Sequence, residues 1–504
     1  MKERWFNFRP ICLVFGFLLL GSVFSFYAPN KTILTIISTI FVAIALIVIA
    51  ILKKKPQYVL VPLIAFGVGV GLYQLAVYNF NKTVDYTPSS IQARIYNIVD
   101  ERDGVIKVEA DSLKFDNKEI NDNIIIFVYD NNGLFENIEV GSIIKFTPYK
   151  FYKSDLFYYD TPSSSLYEDD LKYTTSVFMS NVKYISTDKA FAEQIRERVK
   201  NNLELGLTNE NAEIAYSALF GDKDLLSDKQ YSVYKLSGVA HLLAVSGLHV
   251  GIIVGLLNWI FKKLKVKGWL KFFITAVFLM LYMHICDYSV SIIRATIMSL
   301  VLLISQILRK QYDSFNSISV AGIIIFLINP FCIFDVGFLL SFSCVIGITI
   351  LYRPIRRALA KTHINAKIRD AVAISLSTSI AIVMIMAFYF RTLNVISLVA
   401  NVILIPIFTI AFSIVFIVSI VSILIPVVSY ILLPVDYIFN LINLIATTLG
   451  NLSISNFNTI EFNYIAIIIY FVLLLFISRF CTAKYQYKLI SILPMVALLF
   501  YCLV

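Results

Sequence analysis

The stretch ILTIISTIFVAIALIVIAIL-KKKPQ-YVLVPLIAFGVGVGLYQLAVY, residues 33–78, decides the fold: two long apolar runs, 33–52 and 58–78, flank the triplet Lys53-Lys54-Lys55. A helix of about 20 apolar residues crosses a hydrocarbon core of about 30 Å, and lysines between two such helices mark the cytoplasmic side. An earlier apolar run, 11–27, follows Lys2, Arg4 and Arg9. It has the basic flank of a signal peptide but no small-x-small cleavage site, and further spans follow closely, so it reads as a membrane helix. With the N-terminus and the lysine loop both inside, the third span exits outward, and the chain from about Phe80 to the next span is extracytoplasmic.

Composition agrees. The 504 residues are 58% hydrophobic and 15% charged, where a soluble chain carries about a quarter charged residues. Further apolar runs lie near 238–261, 269–286, 289–308, 317–331, 335–352, 371–390, 395–421, 428–449, 464–477 and 489–504. Basic loops at 262–271, 309–310, 353–369 and 479–488 fall at every second junction. All are cytoplasmic together only if 393–429 crosses an odd number of times. One crossing uses too few of those residues, so a broken helix is expected, with Pro406 and Pro426 as break or kink points. The fold class is a mainly α, polytopic membrane protein of a bacterial cytoplasmic membrane, with about thirteen spans.

Charge separates one segment from the rest. Residues 82–200 hold 15 basic and 20 acidic side chains, a net −5, which leaves +15 on the remainder of a chain whose total is +10. Within that segment, β-branched or alternating runs at 91–99, 105–113, 124–129, 142–149 and 174–185 are separated by turn signals such as Asp116-Asn117 and Asn131-Asn132-Gly133. Five short strands suit a small Greek-key barrel of the OB type, with a sandwich fragment as the alternative. The expected domains are three membrane helices (1–79), the β domain (80–188), amphipathic helices along the outer interface (189–236) and a membrane domain (237–504).

The six cysteines, Cys12, Cys286, Cys332, Cys344, Cys481 and Cys502, lie in or beside spans with no CxxC or Cys/His cluster, so no metal, cofactor or disulfide framework is expected. No phosphate-binding GxxxxGK[ST] loop is present, which places any energy source outside the chain.

Polar residues stand out where a plain span has no use for them. The stretch from Ser237 to Gly251, SGVAHLLAVSGLHVG, sets His241, Ser246, Gly247 and His249 at the outer edge of a span. The histidines are eight residues apart, about 12 Å along a helix, too far to share a metal ion. Ser246 and His249 are three apart, the spacing of a nucleophile-base pair, though no carboxylate orients the imidazole locally. Three readings stay open: a glycine-rich bend beside a helix contact, a pore constriction, and a catalytic dyad. Arg294, after Ser289 and Ser291, lies inside a span, where an arginine faces a bundle interior or an aqueous path, or snorkels to the interface. Asp335, with Gly337 and Ser341, opens another span and is a natural partner for a buried base. Asn394, Asn401 and Pro406 begin the broken segment.

These residues carry a resemblance. The strings HLLAVSGLHVG, SVSIIRA, NPFCIFDVGFLLSFS (329–343) and LVANVILIPI (398–407), in this order, together with the upstream Ala218-Leu219-Phe220-Gly221, resemble the ComEC family of competence proteins. The three N-terminal spans and the outer barrel resemble that family's N-terminal region. The resemblance implies an inner-membrane channel through which transforming DNA enters as a single strand, working with a cytoplasmic helicase and an outer DNA receptor. Many relatives end in a metallo-β-lactamase-like domain. This sequence stops in hydrophobic residues at Val504 with no HxHxDH motif, so a separate nuclease is expected.

The leading expectation is therefore a channel for single-stranded DNA, embedded in the lipid bilayer, with no catalytic residues of its own. Such a path needs basic and polar walls and aromatic faces for base stacking. Tyr149, Phe151, Tyr152, Phe157, Tyr158 and Tyr159 of the outer domain are candidates for the latter, against a domain charge that repels phosphate overall. The alternatives are an intramembrane serine hydrolase built on Ser246 and His249, and a secondary transporter of a small solute. Ala244 occupies the first glycine of a rhomboid-type GxSG motif, and no internal repeat is present.

Overall fold

The computed structural model describes residues 10–27, 57–82, 87–102, 104–130, 139–158, 161–162, 166–167, 169–223, 225–360, 365–452, 456–459, 464–477, 493–495 and 497. The expected span 33–52, Lys53 to Lys55, the Asn131-Asn132-Gly133 turn, Tyr159, the basic loop 479–488 and most of the last span lie outside them. The chain divides into two units: Val14–Glu197 with Ile323–Asp335, and Met1–Leu13 with Arg198–Gly322 and Val336–Val504.

In the first unit, helices α1 (Pro10–Tyr27) and α2 (Gln57–Phe80) approach so closely that a Cβ at Gly21 would run into the Phe66 carbonyl, and one at Gly69 into the Leu18 carbonyl. Small residues at such crossings let apolar helices pack backbone to backbone.

The β domain follows. Its strands are β1 (Ile91–Arg102), β2 (Val105–Phe115), β3 (Lys118–Ile120), β4 (Asn123–Tyr129), β5 (Ser142–Phe146), β6 (Lys150–Lys153), a small hairpin of β7 (Phe157–Tyr158) with β8 (Thr161–Pro162), β9 (Leu171–Phe178) and β10 (Val182–Thr187). The main sheet runs β10-β5-β1-β2-β4-β9-β6, with β3 on β2. Alternation sends Ile106, Val108 and Ala110 into one core with Ile124, Ile126, Phe115 and Tyr173. Asp116 and Asn117 both take positive φ, 49° and 67°, at the β2–β3 turn, as a tight hairpin requires. Asp116 also accepts from Ser89 Oγ (2.5 Å) and Ser90 N (2.9 Å), which ties the entry of β1 to the exit of β2.

Two features differ from the sequence pattern. The expected strand 174–185 is two strands, because a 3-10 turn at Met179–Asn181 interrupts it and sends β10 to β5 while β9 pairs with β4 and β6. The expected barrel is not closed: β10 and β6 are the two ends of the strand order. The pair β4–β9 is parallel, and β5 and β6, near opposite ends of the sheet, are separated in the chain only by Thr147, Pro148 and Tyr149.

The second unit is helical: α3 (Phe191–Leu203), α4 (Asn209–Phe220), α5 (Asp228–Leu236), α6 (Gly247–Lys263), α7 (Gly268–Ile285), α8 (Val290–Ile307), α9 (Ser314–Ile328), α10 (Val336–Leu359), α11 (Ala366–Phe390), α12 (Ser397–Ser422), α13 (Leu433–Gly450) and α14 (Tyr464–Ile477), with α1, α3 and α9 running across the division between units. Against about thirteen expected crossings, seven helices among the described residues are long and apolar enough to cross a membrane by length and composition: Val61–Phe80, α7, α8, α10, α11, α12 and Pro426–Gly450. The chain is a multi-pass membrane protein. Two-stranded pairing of β11 (Thr392–Asn394) with β12 (Asn456–Asn458) brackets α12 and α13.

The broken helix is where the expectation changes most. Pro406 does not break α12, which runs unbroken for 26 residues; a membrane helix tolerates the one hydrogen bond that proline removes. The break comes at 423–425, and Pro426 opens a 3-10 turn, Pro426–Leu432, that leads into α13. Nine of the twelve residues of α4 are buried, so this helix sits inside the unit, whereas its amphipathic pattern suggests a surface position.

Candidate functional site

Ser246 is the N-cap of α6. Its side chain accepts from the Leu248 backbone (3.3 Å), and its own N–H donates to His249 Nδ1 (3.0 Å), closing a reciprocal capping box. Cap formation explains the Ser-x-x-His spacing without chemistry. The His249 ring is fully buried and lies against Phe412 and Phe408 of α12, with centroids at 4.4 and 5.6 Å. Because Nδ1 accepts, the ring proton belongs on Nε2, which is enclosed without a hydrogen-bond partner. The described residues hold no group of three His, Cys, Asp or Glu fit for a metal ion.

Arg294, on α8, is only 6% exposed. Its Nη1 donates to the Ser341 carbonyl of α10, and Ser291 Oγ lies 3.1 Å from Ser341 Oγ. A Cβ at Gly247 would stand 3.0 Å from Arg294 Nη2. Three separate sequence motifs therefore meet: Gly247, Ser291 with Arg294, and Ser341. Among the described residues no carboxylate pairs with Arg294, and its Nε is buried without a partner. Asp335, the expected acid partner, ends a short turn in the other unit, and Gly337 is exposed at the start of α10.

A second cluster forms around Asn394, whose Nδ2 donates to Leu236 O (2.6 Å) while its Oδ1 accepts from Ser397 N (2.8 Å). Gly238, at φ 75°, is pressed against Ser397 and Asn394 and has no space for a side chain. Asn401 Oδ1 is enclosed without a partner. His241 lies in the short turn Ala240–Leu242.

In the β domain, Tyr149 (61% exposed) and Tyr152 face outward, whereas Phe151 packs inward on Phe115 and Tyr173. Strand alternation separates Tyr152 from Phe151, whereas Tyr149 lies just before the strand begins at Lys150. Tyr149 meets Phe178 edge-on at 5.1 Å, and Phe178 meets Tyr129 at 5.4 Å. The sequence does not single out Tyr129 and Phe178, because they end two different strands that only the parallel pairing aligns. The backbone of Phe157 and Tyr158 forms the β7 hairpin.

A polar seam on α13 is equally inconspicuous in the sequence. Asp436 Oδ1 accepts from Thr208 N (2.9 Å) and Asn211 Nδ2 (2.8 Å), Asn211 also donates to Asn440 (2.8 Å), and Asn443 bridges Asn211 (2.9 Å) and Tyr234 Oη (2.5 Å). Its one signal is the set of polar residues at 436, 440 and 443, a single face of an otherwise apolar helix.

The profile of the competence protein family matches residues 218–483, a stretch that contains every residue of the Gly247–Arg294–Ser341 cluster. ComE operon protein 3 of Bacillus subtilis (strain 168) is 28% identical over 199 residues, 39% of this chain and 24% of that protein. Recombination protein 2 of Haemophilus influenzae is 28% identical over 182 residues, 34% of this chain and 22% of that protein. The matches thus span about a quarter of the length of these curated relatives. No solved structure matches the chain.

Proposed function

Since the chain belongs to the competence protein family, we propose that it forms the path by which single-stranded DNA crosses the cytoplasmic membrane during DNA uptake. The observation that carries this reading is Arg294: a guanidinium 6% exposed among apolar helices, with no carboxylate partner among the described residues. Such a charge is costly in a membrane and is retained where an anion or an aqueous path compensates it. The flanking Ser291 and Ser341 hydroxyls supply polar walls beside it.

A hydrolase at Ser246 and His249 has less support. The serine oxygen is occupied as a helix cap, the imidazole is packed against two phenylalanines, and no carboxylate among the described residues orients it. In this reading the nuclease, the ATP-dependent helicase and the outer DNA receptor are separate proteins.

For the topology, we place the N-terminus inside and residues 80–236 outside, from the lysine distribution. Helices α6 and α7 are consecutive, so α6 begins on the side where α7 ends. Phe408 and Phe412 touch His249 near the start of α6, Phe416 touches Phe278 and Tyr282 near the end of α7, and Ser422 O accepts from Asn202. The C-terminal half of α12 therefore stays at the outer end of the bundle, and α12 with α13 reads as a hairpin whose turn lies outside. The β domain reads as an OB-type fold, from its parallel β4–β9 pair and the short link that joins β5 to β6, with Tyr129, Phe178 and Tyr149 as its stacking face.

Deletion of the gene tests the proposal in a transformable host. Marker recovery from added DNA should fall to background while labelled DNA still collects at the cell surface; unchanged recovery contradicts it.

A further inference from the structure

The cluster around Arg294 is short of acceptors. Arg294 Nε is buried and unpartnered, Nη1 holds one backbone carbonyl, and Nη2 points at the first residue of α6. Among the described residues the Gly247 N–H, first in that helix, makes no hydrogen bond, whereas the next two N–H groups are taken by Ser246 Oγ. The N-terminal end of a 17-residue helix adds its own positive potential. These unfilled groups are donors or carry positive charge, and the absence of a side chain at 247 is what lets Nη2 lie against the first turn of α6.

We propose that Arg294 and the first turn of α6 form a seat for one phosphate-type oxyanion, held by Arg294 Nε and Nη2 and by the Gly247 N–H. Planar guanidinium and a helix N-terminus together match the tetrahedral oxygens of a phosphate ester. A phosphodiester of a transported strand, inorganic phosphate and the headgroup of an anionic lipid share that chemistry. The proposal deepens the channel reading and rests on it, since a seat of this kind gives a moving polyanion a single resting contact at membrane depth.

The test uses the full chain in uncharged detergent, with thermal unfolding followed at matched ionic strength in chloride, inorganic phosphate, a short single-stranded oligonucleotide, or phosphatidylglycerol. At least one phosphate-bearing probe should raise the unfolding midpoint saturably above chloride. Gly247→Ala, which sets a methyl 3.0 Å from Nη2, should weaken the apparent affinity at least tenfold, and Arg294→Gln should abolish the effect. Should Arg294→Gln fail to fold, Gly247→Ala carries the test. A response to oligonucleotide and phosphate assigns the seat to phosphodiesters, and a response to phosphatidylglycerol alone assigns it to lipid. Equal responses in wild type and Gly247→Ala, or none above chloride, overturn the seat. Passage of DNA through liposomes in that last case would leave the channel reading standing without it.

Discussion

Gly247 and Arg294 are built around each other: a side chain at 247 would begin 3.0 Å from Nη2 of the arginine. On the proposed reading, volume at 247 should matter more than the Ser246 hydroxyl. Ser246→Ala removes a cap worth about 1 kcal/mol and should leave most activity. Gly247→Leu should lower transformation at least a hundredfold, and His249→Gln, which keeps a polar group at the cap, should be intermediate. The readout is transformation frequency at matched membrane levels; loss with Ser246→Ala alongside full activity in Gly247→Leu would revive the hydrolase.

Arg294 supplies charge as well as contact. Arg294→Leu should insert normally and reduce DNA uptake at least tenfold, with Arg294→Lys between the two because a point charge replaces the fork. Normal uptake with leucine removes the residue from the path.

Much of this site is legible in the sequence, because polar residues inside apolar runs are conspicuous. Residues 246, 249, 291, 294 and 341 all stand out in that way, with Gly247 between two of them, yet nothing in the sequence says that Gly247 meets Arg294 or that Ser246 spends its oxygen on a cap. Strands are legible from alternation, but the turn at Met179–Asn181 is not, since neither Gly nor Pro marks it and β-rich residues run on both sides. Pro406 misleads because proline is a breaker in water, and α12 carries it in an apolar setting. Of the aromatic run, Phe151 packs inward on Tyr173, and Phe178, from a distant strand, meets Tyr149 instead.

The α13 seam predicts stability effects. Asn211 is 1% exposed and serves Asp436, Asn440 and Asn443 together. Asn211→Leu strands these partners and should cost about 2–4 kcal/mol, whereas Tyr234→Phe loses one bond, about 1 kcal/mol. Denaturant titration in detergent measures both; equal small effects would mean the seam is solvated.

On the proposed topology the turn that joins α12 to α13 lies outside. Leu424, 84% exposed, changed to cysteine in a cysteine-free background, should react with an impermeant thiol reagent in intact cells, as should Ser112→Cys in β2. Labelling of Leu424→Cys only after lysis would make α12 a full crossing.

In the β domain, Asp116 is held below the usual carboxylate range by hydrogen bonds from Ser89 and Ser90. A carboxyl with a depressed folded pKa stabilises above its unfolded value of about 3.9 and loses that contribution as pH falls through the folded value. Asp116→Asn should therefore loosen residues 89–90 at neutral pH, seen as faster amide exchange, and the difference from wild type should vanish in acid. A difference that persists in strong acid, with the carboxyl fully protonated, would contradict the assignment.

Reconstitution tests the central claim most directly. Purified chain in liposomes, with an imposed pull from an entrapped single-strand-binding protein, should admit labelled single-stranded DNA, exclude duplex DNA, and lose the passage with Arg294→Leu. Release of small solutes from the same liposomes with no entry of DNA would contradict the account.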